Sequence, residues 1–271
     1  MFRRTLRSTG IAAICIVCSA PSLAAECGGD FDGWLADFKH EAAAQGVSQR
    51  TIASALDGVA PDPAVISRDH GQRVFSQSFE QFSGRMISAD RMSKGTALLR
   101  QHAATFARIE RQFGVPGPVL VAIWGLETDY GVNQGRFSIV RSVATLAHDC
   151  RRAEKFRGEL LDVLRIIDRG DMTASELRGD WAGEIGQTQF LPSSYLRFAV
   201  DFDGNGKRDL IRSVPDAMAS TANYLKSHGW RPSEPWGEGT ANFNALLEWN
   251  KARVYAKTIA LFAQRLAAGS K

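Results

Sequence analysis

No segment of this chain alternates apolar and polar residues, whereas most of its length repeats apolar positions every three or four residues. A period of two marks a half-buried strand and a period near 3.6 an amphipathic helix, so the pattern confines the chain to helices. "DFDGWLADFKHEAAAQG" and "SQRTIASALDGV" predict two short helices, the second capped by Ser48. "SADRMSKGTALLRQHAATFARIERQFG" predicts one long amphipathic helix running from an N-cap at Ser88 to a stop at Gly114. Further helical stretches are "IVRSVATLAHDC", "RAEKFRGELLDVLRIIDRG", "SVPDAMASTANYLKSHGW" and the C-terminal "ANFNALLEWNKARVYAKTIALFAQRLAAG". "PDPAVISRDHGQRVFSQSFEQF" has prolines and no steady period, and reads as an extended segment wrapping the core. With no internal repeats and no long linker, the expected fold class is all-α.

The first residues follow a different grammar. Arg3, Arg4 and Arg7 precede an apolar stretch from Ile11 to Ala20 and then small residues, the pattern of a cleavable export leader over residues 1–24. The apolar stretch is well short of the roughly 20 residues a spanning helix needs, so no stable membrane anchor is expected. Residues 25–271 are then expected to form one domain of a periplasmic, soluble protein. Removing three arginines from a chain of net charge +4 leaves about +1, and no basic stripe suggests a nucleic-acid partner. Cys15 and Cys18 leave with the leader, while Cys27 and Cys150 remain. In an oxidising compartment that pair is expected to form a disulfide, with two unpaired buried thiols as the alternative.

The chemistry is concentrated in "VAIWGLETDYGVNQG", an apolar run that ends in an acid. Pro116 or Pro118 can open a helix here and Gly131 can end it. Leu120, Ile123, Trp124 and Glu127 then share one face, which directs Glu127 toward the interior or a groove bordering it. Desolvation and the negative end of the helix dipole both raise the affinity of such a carboxyl for its proton. A raised glutamic acid is what protonating a glycosidic oxygen requires near neutral pH. A structural hydrogen-bond network around a buried acid is the alternative.

Together with "GDWAGEIGQTQFLPSSYLRFAVDFDGNGKRDLIRSVPDAMASTANYLKSHGW", the run resembles the lytic murein transglycosylase B family. The resemblance extends from about Phe75 through "LLEWNKARVYA". It implies a lysozyme-like helical fold and cleavage of the β-1,4 bond between N-acetylmuramic acid and N-acetylglucosamine in peptidoglycan glycan strands. It implies no required cofactor. By motif position Glu127 corresponds to the family's single catalytic acid/base, and Gln189 in "GQTQFLP" to a sugar-binding glutamine. Tyr224 in "ANYL" matches an aromatic beside the acid, and Asn250 in "EWN" a substrate-contacting asparagine. Trp249 stands where the family usually has tyrosine, keeping a stacking surface without the hydroxyl. Asp180 in "GDWAG" stands where some members have serine. Sugar C–H faces could also stack on Trp124, Tyr130, Trp181, Phe190, Tyr195 or Trp230, though at least half of these aromatics are expected in the core.

"DFDGNGKRD" resembles the start of an EF-hand loop, with Asp201, Asp203, Asn205, Lys207 and Asp209 at oxygen-ligand positions and Gly206 at the tight turn. Arg212 stands where the bidentate glutamate would be, and Asp216 is a conceivable late ligand. The resemblance implies that some members hold calcium here; a hydrogen-bonded Asx turn is the alternative. The histidines form no zinc motif, and no nucleophile elbow or phosphate-cradling glycine loop is present. Asp129 is two residues from Glu127 and so faces away from it, while Glu184 in "WAGEIG" remains open as a second carboxylate. Two other functions therefore stand beside transglycosylation: a hydrolytic muramidase, which needs that second carboxylate, and an inactive peptidoglycan-binding scaffold.

Overall fold

Serine, threonine and aspartate side chains start most of the helices, and prolines sit in the first turn of several, as helix N-termini with unpaired N–H groups require. The computed structural model describes residues 27–72 and 77–269; the expected leader lies outside them. Among the described residues run helices α1 (Phe31–Ala44), α2 (Gln49–Leu56), α3 (Pro63–His70), α4 (Phe79–Met86), α5 (Ala89–Gln101), α6 (Ala103–Phe113) and α7 (Gly117–Thr128). After strand β1 (Phe137–Ser138) come α8 (Ile139–His148) and α9 (Ala153–Asp168), then β2 (Arg178–Gly179) and α10 (Pro192–Phe198). The chain closes with α11 (Val214–Ser227), α12 (Ala241–Trp249) and α13 (Arg253–Gly269). The two short strands pair antiparallel, Phe137 opposite Gly179 and Ser138 opposite Arg178. The all-α expectation holds.

Three local readings are corrected. The segment read as extended contains α3 and α4, each fixed by its own cap: Asp62 accepts from the Ala64 N–H, and Ser78 forms a reciprocal capping box with Gln81. The long helix from Ser88 is broken at His102, because α5 packs on α7 and α13 whereas α6 packs on α11. The C-terminal helical stretch likewise breaks after Trp249, where Asn250 turns extended and its Oδ1 accepts the Ala252 N–H at 3.0 Å. Apolar periodicity runs through both breaks, so the sequence alone does not display them.

Two separate cores result. One is built from α1, α2, α8 and α9, with Phe38, Leu56, Phe156 and Leu160 fully buried or nearly so. The other surrounds α7, which packs against α13, α5, α6 and α11. Every residue of α7 from Val119 to Leu126 is buried, so this helix has no polar face of its own. Tyr224 and Trp249 are half-buried and pack against both cores, which places them on the seam between the lobes. The N-terminal segment is tied down by the Cys27–Cys150 disulfide, with Cα atoms 5.1 Å apart, and by Gly28 N–H donating to the His148 carbonyl at 2.8 Å.

Candidate active site

Glu127 lies in the last turn of α7, and the chain beyond it is held in an unusual shape. Asp129 and Tyr130 both take the left-handed conformation, with φ of 52° and 64°. Such a conformation costs a non-glycine residue free energy and persists only where surroundings enforce it. Here Arg91 of α5 enforces it, its Nε 3.3 Å from Asp129 Oδ1 and its carbonyl accepting the Tyr130 hydroxyl at 2.6 Å. Thr128 adds a second brace by donating to the Gln187 carbonyl at 2.6 Å while accepting from the Gly131 N–H at 2.9 Å. The helix therefore ends at Thr128, earlier than Gly131, and Asp129 is turned to Arg91 and away from Glu127.

Glu127 opens onto a groove of ≈ 370 Å³ that Glu184, Gln189, Tyr224, Trp249 and Asn250 also line. The indole N–H of Trp249 donates to Glu127 Oε1 at 2.9 Å. Tyr255, at the start of α13, donates its hydroxyl to the same carboxyl. Burial pushes the Glu127 carboxyl from 4.5 up to about 7, while the Trp249 and Tyr255 hydrogen bonds pull it down. A group poised near neutrality can deliver a proton and later take one back.

The other expected sugar-contacting residues divide. Gln189 has a left-handed backbone, φ 57°, and its Nε2 donates to the Gly186 carbonyl at 2.8 Å, so the amide is anchored at the groove wall. The Tyr224 hydroxyl donates to the Glu248 carbonyl at 2.8 Å, and its ring stands edge-on to Trp249 at 5.1 Å. Tyr224 thus offers an aromatic wall rather than a free hydroxyl. Trp249 has no hydroxyl, yet its N–H reaches the acid directly. Asp180 does not line this groove; it borders a neighbouring cavity of ≈ 480 Å³ with Gln134 and Arg178. Of the other aromatics, Trp124, Tyr195 and Trp230 are buried away from the groove, while Phe190 is buried at its edge.

Tyr255, in "EWNKARVYA", carries no local mark of a role; its signal is its place one turn past a helix break that periodicity conceals. Glu184, a possible second carboxylate on sequence grounds, lies in the groove with Glu127. Burial first, then the charges of Glu127 and Asp180, push its carboxyl from 4.5 up to about 7. A larger cleft of ≈ 680 Å³ beside Asp168 and Glu176 contrasts with this. Hydrogen bonds from Ser48 and Thr173 respectively hold those two carboxyls below the ordinary carboxylate range. That cleft offers no acid suited to proton delivery.

Asp201 and Asp203 of the "DFDGNGKRD" loop and Asp216 of α11 each bring an oxygen within 4.8 Å of the others. This set of hard oxygen donors fits a calcium ion. Asn205 Oδ1 accepts from the Lys207 N–H at 2.9 Å, and Asp209 turns to Arg212, with Oδ2 2.6 Å from its Nε. Asp201 also accepts from the Gly204 and Gly206 N–H groups at 2.8 Å, so the loop has Asx-turn bonding as well.

Residues 30–241 match the family model described as the transglycosylase SLT domain. The chain belongs to this family. It is 38% identical over 151 residues to membrane-bound lytic murein transglycosylase B of Escherichia coli K12, a match covering 55% of this chain and 42% of that protein. The chain thus spans less than half the length of that relative. SltB3 from Pseudomonas aeruginosa, solved with NAG-anhNAM-pentapeptide, superposes with a TM-score of 0.85 at 33% identity, covering 90% of this chain and 81% of that one. The E. coli lytic transglycosylase Slt35, solved with calcium, gives 0.78 at 25% identity over 91% of this chain and 97% of its own. The lysozyme-like helical architecture of the SLT domain is therefore shared. Trp249, Asn250 and Tyr255 lie beyond the stretch matched to the SLT model, so the donors to Glu127 come from outside it. No helix among the described residues is long and apolar enough to cross a membrane.

Proposed function

We propose that this SLT-family chain is a lytic transglycosylase that cleaves the β-1,4 bond between N-acetylmuramic acid and N-acetylglucosamine in peptidoglycan strands. The observation that supports this most is Glu127, lifted to about 7 at the floor of an open groove and held by Trp249 and Tyr255. Glu127 protonates the departing glycosidic oxygen while the substrate's N-acetyl group stabilises the cationic sugar carbon. As a carboxylate, Glu127 then takes the proton of the C6 hydroxyl as that oxygen closes onto C1. Gln189, Asn250 and the faces of Tyr224 and Trp249 hold the sugars, and Asp180 acts from the neighbouring cavity. Export by the leader brings the enzyme to its polymer in the periplasm. Asp201, Asp203 and Asp216 hold a calcium ion that stiffens the loop before α11.

The hydrolytic muramidase reading gains one specific observation, the presence of Glu184 in the groove. Digesting purified peptidoglycan in oxygen-18 water separates the two. Transglycosylation yields unlabelled 1,6-anhydromuramic ends, lighter by one water than hydrolysed ends. Labelled reducing ends as the main product would reject it. An inert scaffold would release neither.

A further inference from the structure

A single-acid cycle leaves Glu184 unexplained, yet its position is built into the backbone. Its turn is closed by the Asp180 N–H donating to the Glu184 carbonyl at 3.2 Å and the Gly183 N–H to the Asp180 carbonyl at 3.1 Å. Gly179 and Ile185 bridge behind the turn. A Cβ on Gly179 would stand 2.0 Å from the Glu184 carbonyl oxygen, and one on Gly183 2.4 Å from Val143. Contacts that close leave the turn one backbone path, and that path points the side chain into the groove with Glu127.

The surroundings then determine how Glu184 is charged. Glu127 faces it from α7, Asp180 from its own turn, and the Tyr255 hydroxyl from α13. Lys155 of α9 and Arg152 just before that helix are the cations that act on it, and Glu248 and Lys251 border the same groove. Neither cation is paired with it: Arg152 is committed to Asp69, while Lys155 lines the same groove, exposed, its Nζ 5.4 Å from the Phe156 ring centroid. Lys251 is paired with Glu248. Among the described residues Glu184 has no ion pair and accepts no side-chain hydrogen bond. An unpaired, poorly solvated carboxylate next to a second acid favours keeping a proton.

We propose that Glu184 is a positioning residue for the catalytic proton, forming with Glu127 a carboxyl pair that holds one proton and one negative charge in the resting groove. This rests on the reading of Glu127 as the acid. Two such groups titrate as a unit, and loss of the last proton is opposed by the charge already present. The acid form of Glu127 is thereby retained to higher pH than a lone carboxyl would allow. In the first step the proton leaves the pair for the glycosidic oxygen, and in the second the C6 hydroxyl proton returns to it; no other bond to either carboxyl changes. The doubly ionised pair exists only while a cationic sugar ring shares the groove.

The test is the pH dependence of kcat/KM on purified peptidoglycan for the full chain, Glu184→Gln and Lys155→Met, with products analysed in parallel. Glu184→Gln should move the alkaline midpoint down by roughly one pH unit, giving up to about a tenfold larger deficit on the alkaline limb than on the acid side. Lys155→Met removes an exposed cation that favours ionisation and should move the midpoint up, which serves even if the Gln variant does not fold. A Gln deficit equal at every pH, or a midpoint that Lys155→Met leaves in place, would overturn the proposal. So would labelled reducing ends that vanish in Glu184→Gln, which would make Glu184 a base for water. Failure of the underlying reading is distinct, because it would appear as activity in Glu127→Gln.

Discussion

Replacing Glu127 by glutamine should stabilise the protein and silence it, and the stabilisation should depend on pH. Glutamine imitates the protonated acid: it fills nearly the same space, keeps an oxygen to accept from Trp249, and never ionises. The native carboxyl is raised from 4.5 to about 7, so folding holds its proton more tightly than the unfolded chain does. Below 4.5 both states are protonated and the acid costs nothing extra. Between 4.5 and 7 the unfolded chain releases its proton first, so wild-type stability falls as pH rises. Above 7 the penalty is complete, about 3 kcal/mol for this shift. In a domain of this size that corresponds to roughly 6–12 °C in melting temperature. Calorimetry at pH 4 and pH 8 should find the two proteins alike in acid and the Gln variant clearly more stable in alkali. Turnover should fall by more than the ~10²–10⁴-fold typical of lost acid–base help. Equal stability differences at both pH values, or near-normal turnover, would refute the view of Glu127 as a strained, poised acid.

Two further outcomes are expected. Reducing the Cys27–Cys150 bridge, or replacing both residues by alanine, should cost about 2–5 kcal/mol, since the bridge closes a loop with a sequence separation of 123; reductant that leaves the melting temperature unchanged would show that the bridge contributes nothing. Millimolar calcium should raise the melting temperature of the wild type but not of Asp203→Ala, because the ion binds the folded loop alone; an indifferent wild type would assign the loop to its Asx turns.

How far the sequence could be read depended on the kind of information each feature contains. Helix identity follows from local periodicity and caps, so α1, α2, α8, α9 and α11 emerge where expected. The breaks at His102 and Asn250 depend on which neighbour each half packs against, and that is tertiary information. Glu127 was legible because an acid closing an apolar run is locally anomalous. Its raised proton affinity was anticipated on sound grounds, but not from a single helix face: α7 is buried all round, so what sets Glu127 apart is its place at the helix end, where the groove begins. Tyr255 was illegible for the opposite reason. It is an ordinary aromatic in an amphipathic helix until α13 brings it to the carboxyl. Asp201 and Asp203 pair with Asp216 rather than with the nearer Asp209, since the register of α11, started by Ser213, decides which acid returns to the loop.

Trp249 and Tyr255, the donors that tune Glu127, are synthesised well over a hundred residues after the acid itself. A ribosome that has completed α7 has made the reactive group but not the environment that makes it reactive. A nascent or prematurely terminated chain ending before Trp249 has an acid without either partner and a groove missing one wall. This order of assembly keeps an unfinished chain inert: proton delivery becomes possible only once both donors have been made.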